Sequence, residues 1–554
     1  MRTTPPLPCA GQRARRTPRI LRTWRFFSSA AFGLAVFAQT PPLVAEDTTP
    51  RSSAPAPSPT ASFERSGIPR STGRIDDLVF AKLKHLGIEP AHPCTDAVFV
   101  RRTFLDVIGT LPTAEETRAF LKDSSPAKRT ALIDQLLTRT EFADYWTMKW
   151  SDLLRVKAEF PINLWPNAAQ AYHRWIHTAI RDNVPYDRFA RELLTGSGSN
   201  FRSGPANFYR ASQSREPAGL ARMVALTFMG VRAEKWPTEQ LAGFAPFFSA
   251  LSYKGTGEWK EEIVFFDAAK LSATAATLPD GTSVTLSPER DPREVLADWL
   301  ITPANPWFSR ALANRAWSWL LGRGITHEPD DLRPDNPPAN PALLDYLAAQ
   351  LVASHYDVKQ LFREILTSQT YQLSSVARSD APAAEANFAF YSLRRLDAEV
   401  LIDALNQLSG TTEKYSSAIP EPFTYVPDDQ RSIALPDGSI TSAFLESFGR
   451  PSRDTGTEAE RNNRITANQR LYLLNSTHIQ RKIEQGPKLQ ALVRAKSAPR
   501  DYLDNIYYTI LSRPPTEEER RTVGAYFAAR KDPRTAGQDL VWSLINSAEF
   551  LYRH

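Results

Sequence analysis

Apolar residues recur at intervals of three or four positions along most of this 554-residue chain. From Arg74, one such stripe runs through Ile75, Val79 and Leu83 and stops at Gly87, a residue type that commonly ends helices. Similar stripes follow at residues 128–138, 167–181, 292–301, 308–321, 342–353, 358–367, 395–408, 467–483, 501–511 and 537–551. Because this spacing matches the period of an α-helix, it predicts a mainly α protein.

Proline and glycine usage favours the same fold class. The chain holds 43 prolines but only 24 glycines, which suits helical hairpins or bundles joined by stiff turns. Strand signals and a Pro-Asp-Gly turn occur in two places, within residues 256–290 and near residues 415–441. We expect both to be short β insertions between helical blocks.

The first 45 residues are typical of an export signal. Seven arginines and no acidic residue precede an apolar core at residues 26–38, and cleavage is expected near residue 39 or 46. An uncleaved signal that anchors the chain in the membrane is the alternative. Residues 46–73 are rich in Pro, Ser, Ala and Thr, which predicts a disordered linker. A periplasmic or other extracytoplasmic location follows.

The charge distribution argues against nucleic-acid binding. The seven leading arginines exceed the net charge of the whole chain, which is +6, so the remainder carries no net positive charge. Phosphate recognition needs a basic face on the folded body. Of the two cysteines, Cys9 precedes the apolar core, so the exported chain would keep only Cys94. One thiol cannot form an intramolecular disulfide or a cysteine zinc cage.

An internal similarity links the two ends of the body. Residues 104–116 resemble residues 507–519, and both segments end in Thr-x-x-Glu. This pattern predicts two capping boxes, in which the threonine caps a helix and the glutamate bonds back to it. The similarity indicates repeated architecture and implies no active site.

Several unusual motifs occur in a fixed order from the start of the helical body. In order, they are Arg101-Arg102-Thr103-Phe104-Leu105-Asp106, Asn183-x-Pro185-Tyr186-Asp187, Asn305-Pro306-Trp307-Phe308, Asn314-Arg315-x-Trp317, Asp330-Asp331-Leu332-Arg333 and Ser368-Gln369-Thr370-Tyr371. With these motifs the chain resembles planctomycete cytochrome-associated proteins, in which domain of unknown function 1549 precedes domain of unknown function 1553. The resemblance implies helical domains at residues 74–255 and 291–554, separated by the first β insertion.

The resemblance also implies partners and a missing cofactor. Related proteins occur with exported sulfatase-like proteins, which suggests polysaccharide as a further partner. Relatives often carry Cys-x-x-Cys-His, the attachment motif of c-type haem, where this chain has residues 233–237 without cysteine. A second cysteine pair of relatives is replaced by Thr457 and Ala459. We therefore expect a haem-lacking member with no cofactor.

The strongest polar cluster lies at residues 314–341. Its candidate site residues are Asn314, Arg315, Trp317, Arg323, Asp330, Asp331, Arg333 and Asn336. In a structural interpretation, Arg315 or Arg323 pairs with Asp331 and fixes a proline-rich loop to a helix. In a functional interpretation, Trp317 and the carboxylates face a sugar, but hydrolysis needs two carboxyls on opposite sides of the bond. We favour the structural interpretation.

Other polar and aromatic residues have structural explanations as well. Arg101, Arg102 and Asp106 are expected to fix helices, and Trp146 and Trp150 to lie in the core. His173 and His177 lie one helical turn apart and could share a metal ion, but a solvated helix flank explains them as well. The sequence therefore predicts an exported binding or assembly protein without an established catalytic motif, and the alternative is a glycan hydrolase using Asp330 and Asp331.

Overall fold

Helices dominate the computed structural model, which describes residues 60–495 and 498–554. The export signal and residues 46–59 of the predicted linker lie outside the described residues. The first helices are α1 (Arg74–His85), α2 (Asp96–Val107), α3 (Ala114–Lys122), α4 (Lys128–Leu137), α5 (Thr140–Leu153), α6 (Pro166–Arg181), α7 (Tyr186–Leu194), α8 (Asn207–Arg210), α9 (Pro217–Val224) and α10 (Thr238–Phe244).

The remaining helices belong to the C-terminal half. They are α11 (Pro292–Leu300), α12 (Phe308–Leu321), α13 (Pro341–Ala353), α14 (Val358–Thr367), α15 (Ala398–Ser409), α16 (Ala443–Ser447), α17 (Ala467–Asn475), α18 (Thr477–Gln485), α19 (Pro487–Val493), α20 (Pro499–Leu511), α21 (Glu517–Ala529), α22 (Pro533–Ile545) and α23 (Ala548–Leu551). The predicted mainly α fold with short β insertions is confirmed.

The strands form three small antiparallel sheets. They are β1 (Gly198–Ser199), β2 (Leu251–Gly255), β3 (Glu262–Phe266), β4 (Thr274–Thr277), β5 (Ser283–Leu286), β6 (Arg394–Arg395) and β7 (Tyr552–Arg553). In the first sheet β3 lies between β1 and β2, with Tyr253 opposite Val264. β4 pairs with β5 as a hairpin, and β6 pairs with β7. The first β insertion is therefore present.

The second predicted β insertion does not form as strands. Residues 415–441 contain one antiparallel bridge, between Ser416 and Thr441, and a short 3₁₀ turn at Ser432–Ala434. Asp403 of α15 accepts hydrogen bonds from the backbone N–H groups of Ser432 and Ile433 at 2.8 and 3.1 Å. These donors are therefore satisfied by a buried carboxylate instead of a partner strand.

Two predicted helices are each broken in two by a serine. The stripe at 467–483 divides into α17 and α18, and the Ser476 side chain accepts from the N–H of Ile479. The stripe at 537–551 divides into α22 and α23, and Ser547 caps α23 through the N–H of Phe550. A serine that caps a new helix interrupts the previous one without changing the apolar period, so the pattern alone merges them.

Both predicted capping boxes are confirmed. The Thr113 hydroxyl accepts from the N–H of Glu116 at 3.1 Å and the Glu116 carboxylate accepts from the N–H of Thr113 at 2.8 Å. Thr516 and Glu519 do the same at 3.1 and 2.7 Å. In each capping box, one arginine binds both the glutamate of the box and a second glutamate further along the chain. Arg139 contacts Glu116 and Glu141, and Arg513 contacts Glu519 and Glu549.

The described residues form one compact unit with a continuous apolar core. Trp146 and Trp150 lie in that core, as predicted, and each contacts Trp319 of α12 with ring centroids 5.4 and 5.9 Å apart. None of the described helices is long and apolar enough to cross a membrane. The domain boundaries expected from the sequence stay a prediction.

Candidate functional site

The predicted polar cluster lies where α12 ends and a proline-rich loop returns along it. Gly322 has a positive φ of 86° and ends the helix. The Asn314 side chain accepts from the N–H of Thr326 at 2.9 Å and donates to the carbonyl of Thr326 at 3.0 Å. Both atoms of one buried amide thus hold both backbone groups of one loop residue, which fixes the loop against the helix.

Arg315 and Asp330 form the buried centre of the cluster. The guanidinium of Arg315 donates to Asp330 Oδ1 at 2.9 and 3.2 Å, and also to the carbonyls of Leu226 and Thr227 at 2.5 Å. These carbonyls belong to a π-helical turn at Ala225–Met229. Asp330 Oδ2 accepts from the N–H of Glu458 at 2.6 Å. The pair therefore joins three distant chain segments.

Asp331 lies in a separate set of ion pairs at the edge of the cluster. It accepts from Lys235 at 2.7 Å and from Arg333 at 2.8 and 3.2 Å. Burial raises the pKa of Asp331, but the hydrogen bonds from these two cations outweigh burial and lower it overall. Asn336 donates to the backbone carbonyl of Asp331 at 2.9 Å, and Arg333 also binds Asp335 at 2.9 Å.

Two cluster residues differ from the expected arrangement. Neither arginine that was expected to pair with Asp331 does so: Arg315 binds Asp330, and Arg323 forms no ion pair with any residue that the structure describes. Asp331 is held by Lys235 instead, a residue nearly 100 positions earlier in the chain. Trp317 is fully buried and packs edge-to-face on Phe388, with ring centroids 5.0 Å apart. Its ring is therefore not available to a sugar.

This geometry favours the structural interpretation of the cluster. Asp330 is fully enclosed, and Asp331 is nearly so and holds two cations. A general acid in a glycosidase must reach the leaving-group oxygen, and its partner carboxyl must reach the opposite face of the sugar. Neither carboxylate meets this requirement in the present arrangement.

The two segments at which the family resemblance implied cysteines both contact this pair of aspartates. Lys235 lies within residues 233–237 and binds Asp331, while the N–H of Glu458, between Thr457 and Ala459, binds Asp330. The contacts at this place are ion pairs and hydrogen bonds. In the described ranges, no group of three or more His, Cys, Asp or Glu side chains is arranged to hold a metal ion.

The two histidines of α6, His173 and His177, lie in different environments. His177 Nε2 lies 3.1 Å from Asp144 Oδ1, and the rings of His173 and His177 are 6.4 Å apart. Burial, together with a smaller effect of the nearby cation of Arg453, lowers the pKa of His173 to about 3. His173 is therefore neutral at physiological pH.

Sequence reasoning missed a second and larger ionic network in the core. Asp106 accepts from the hydroxyls of Tyr371 and Tyr391 at 2.9 and 2.8 Å and from Arg553 at 2.8 Å. Arg553 also lies 3.0 Å from Asp397, at the start of α15. One arginine of β7 thus bridges an acid of α2 and an acid beside α15.

Asp397 extends the network toward α5. It lies 3.1 Å from Lys149 and 3.6 Å from Arg461, and Arg461 binds Asp152 and Glu399 at 2.6 and 2.7 Å. Burial raises the pKa of Asp397, but the nearby cations outweigh burial and hold it well below its usual range. Asp397 is therefore charged and paired, and the network connects the N-terminal and C-terminal halves of the described chain.

Arg101 and Arg102 fix helices, as predicted. Arg102 donates to the carbonyls of His554, Tyr371 and Leu373 at 2.8, 2.5 and 2.8 Å, and Arg101 donates to those of Ile510 and Phe550 at 2.9 and 3.1 Å. The Arg-Arg pair could be recognised as structural from its place in an apolar helix. Its partners lie more than 260 positions away, and no local pattern indicates them.

A groove of about 1000 Å³ lies between α20, α21 and the start of α22. Its apolar side is formed by Val493, Tyr502, Leu503, Val523 and Phe527. The exposed side chains of Arg494, Arg500 and Arg534 line it, and they form no ion pair within the described ranges. We call it the arginine-rimmed groove. It offers exposed cations together with accessible aromatic rings to a ligand, whereas Trp317 of the cluster at residues 314–341 is buried.

Two family models match the chain. Residues 74–234 match the model described as a protein of unknown function (DUF1549), and residues 292–527 match the model described as a protein of unknown function (DUF1553). The order of the two matches is the order expected from the motifs. Neither a curated protein nor a solved structure matches the chain.

Proposed function

We propose that this chain, which combines a DUF1549 domain with a DUF1553 domain, is an exported binding or assembly protein in polysaccharide handling. The observation that favours binding over hydrolysis is the enclosure of Asp330 and Asp331 in ion pairs. An enzyme built on these carboxylates would have to break its own packing to reach a glycosidic bond. A binding protein needs no such rearrangement.

The arginine-rimmed groove is the surface that we assign to the polysaccharide. Arg494, Arg500 and Arg534 form no ion pair within the described ranges, and they outnumber Asp532, the acid beside Arg534 in the lining, while the second lining acid, Glu517, pairs with Arg520. An acidic sugar chain would therefore meet an excess of positive charge. Guanidinium groups bind sulfate and carboxylate groups through two parallel hydrogen bonds. Tyr502 and Phe527 are half-buried and supply apolar faces for the sugar rings. The ligand class is therefore an acidic polysaccharide.

Binding of a defined polymer tests this assignment. The full chain should bind dextran sulfate and not uncharged dextran, and the affinity should fall with salt because the contacts are ionic. The triple variant Arg494→Gln, Arg500→Gln, Arg534→Gln should bind dextran sulfate at least about tenfold more weakly. The matched control carries Arg70→Gln, Arg464→Gln and Arg521→Gln, which are exposed arginines without ion pairs outside the groove. Equal losses in both triple variants would contradict a site in the groove.

The protein partner that we propose is an exported sulfatase-like protein. This proposal depends on the family resemblance, in which the two kinds of protein occur together. Affinity purification of the chain from its native cells, followed by mass spectrometry, should recover a sulfatase-like protein. The partnership would be contradicted if no sulfatase-like protein were recovered in repeated purifications. It would also be contradicted if the same sulfatase-like protein were recovered from control cells that lack the tagged chain.

The location outside the cytoplasm can be tested separately. The exported protein should begin near residue 39 or 46, because the arginine-rich and apolar segments before those positions are typical of a cleaved signal. N-terminal sequencing of the native protein checks this. An intact Met1 in a soluble cytoplasmic fraction would contradict export, and an intact Met1 in a membrane fraction would support the uncleaved anchor.

A further inference from the structure

A polar pocket lies on the C-terminal half, away from the groove lining and from the buried networks. It has a volume of about 530 Å³ and lies between residues 411–414, which follow α15, and one face of α18. Every side chain that lines it is polar, and three of them are the threonines Thr411, Thr412 and Thr477. We call it the α18 pocket. An apolar ligand would find no matching surface there.

The buried wall of the α18 pocket contains an ion pair whose two charges neutralise each other. The carboxylate of Glu413 lies 3.4 Å from the ammonium group of Lys482, and both side chains are about 7% exposed. His478 Nε2 lies 3.0 Å from the same carboxylate, and Tyr472 lies 3.1 Å from the other ring nitrogen of His478. Lys482 also donates to Asn406 at 2.7 Å. This wall is fixed by many bonds, so the pocket is preorganised.

The open side of the pocket carries uncompensated positive charge. Lys414 and Arg481 line it, are exposed and form no ion pair with any part of the chain that the structure describes. Glu413 is the one acidic residue in the lining, and Lys482 already pairs with it. An anion would therefore find two free cations together.

We infer that the α18 pocket binds the phosphate or sulfate monoester group of a small polar molecule, such as a sugar ester. The free cations Lys414 and Arg481 would hold the ester oxygens, and the exposed threonines Thr412 and Thr477 would bind the hydroxyl groups of the remainder. The volume exceeds that of one tetrahedral anion and falls within the range of small-molecule sites. This site differs from the groove proposed for the polymer in place and size, and its lining is polar whereas one side of the groove is apolar.

Calorimetric titration of the full chain at low ionic strength tests the inference. The probes are glucose 6-phosphate, glucose 6-sulfate, inorganic phosphate, inorganic sulfate and unmodified glucose. At least one ester should bind more tightly than the matching inorganic anion, because the sugar adds contacts, and glucose alone should not bind. A response to one ester only identifies the phosphate or the sulfate as the recognised group.

Two variants locate the binding. Lys414→Gln with Arg481→Gln should weaken ester binding at least about tenfold, since both cations are lost. The control Arg464→Gln with Lys531→Gln removes two exposed, unpaired cations outside the pocket and should bind like the unmodified chain. No binding of either ester, binding no tighter than that of the inorganic anions, or equal binding by both double variants would overturn the inference. Dextran sulfate binding by the Lys414 and Arg481 variant should stay unchanged, which separates this site from the groove.

Discussion

Arg315 and Asp330 lie 2.9 Å apart, with 1% and 0% of their side chains exposed. Each also binds backbone groups of another segment, Arg315 at Leu226 and Thr227 and Asp330 at Glu458. Taking two charges out of water costs several kcal/mol, and this cost is recovered only where further hydrogen bonds complete the site. The pair is therefore a structural junction between segments on either side of the β insertion.

Removing one member of this junction should strongly destabilise the fold. Asp330→Ala leaves the Arg315 guanidinium buried without its anion, and we expect the free energy of unfolding to fall by about 3–5 kcal/mol. The control Asp335→Ala removes a carboxylate that is 70% exposed and pairs with Arg333, and it should cost about 0–1 kcal/mol. Urea denaturation of both variants measures the difference. Similar small costs would mean that Asp330 does not hold the structure.

Asp331 should contribute stability that depends on pH. Its pKa is lowered in the fold, so its contribution is present above the unfolded value of about 3.9 and is lost as the pH falls through the lower folded value. At pH 7, Asp331→Asn should lower the free energy of unfolding by about 1–3 kcal/mol. As the pH falls through the lowered folded value, the difference from the unmodified chain should shrink, because Asp331 becomes neutral like the asparagine of the variant.

Melting temperature and binding together decide the role of Asp331. If Asp331→Asn melted within a degree of the unmodified chain and lost polysaccharide binding, the structural interpretation would fail. The candidate residues Asp330, Asp331 and Arg323 would then belong to a recognition site. Arg323→Gln should change neither property, because Arg323 has no charged partner among the described residues.

Local sequence patterns predicted the helices and their caps well. The stripe at 308–321 coincides with α12, and the boxes at Thr113 and Thr516 form as expected. Both depend on neighbours within four positions, where spacing fixes geometry. The merged helices at Ser476 and Ser547 show the limit of this reasoning, since the apolar period continues across a cap.

Pairings between distant residues could not be predicted. The motifs placed Arg315, Asp330 and Asp331 in one cluster, but which arginine or lysine meets which acid depends on tertiary packing. Asp106 and Arg553 lie 447 positions apart and meet only because β7 pairs with β6 beside α2. Exposed sites such as the α18 pocket also lack a local motif, since their cations come from separate segments.

Position 102 should require the planar guanidinium group of arginine and not only its positive charge. Arg102 donates to three backbone carbonyls and lies over the ring of Tyr391, 3.8 Å from its centroid. Arg102→Lys keeps the charge but loses the planar fork, so we expect a loss of about 2–4 kcal/mol in the free energy of unfolding. The exposed Arg70→Lys is the control and should be neutral. A loss below about 0.5 kcal/mol for Arg102→Lys would show that charge alone suffices.

A side chain at position 109 should destabilise the fold for two reasons, the left-handed backbone conformation and a steric clash with Tyr145. The φ of Gly109 is 59°, and a Cβ atom there would lie 2.5 Å from the buried ring of Tyr145, whose hydroxyl binds Arg553 at 2.9 Å. Gly87 has a similar φ of 67° with no atom within 4 Å of a Cβ, so Gly87→Ala measures the backbone cost alone, about 1–2 kcal/mol. Gly109→Ala should cost a further 1–3 kcal/mol or so, because the Tyr145 ring must move within a packed core. Equal chemical denaturation midpoints for Gly109→Ala and Gly87→Ala would show that the Tyr145 ring shifts freely. Tyr145 would then not help to hold Arg553 in the ionic network of the core.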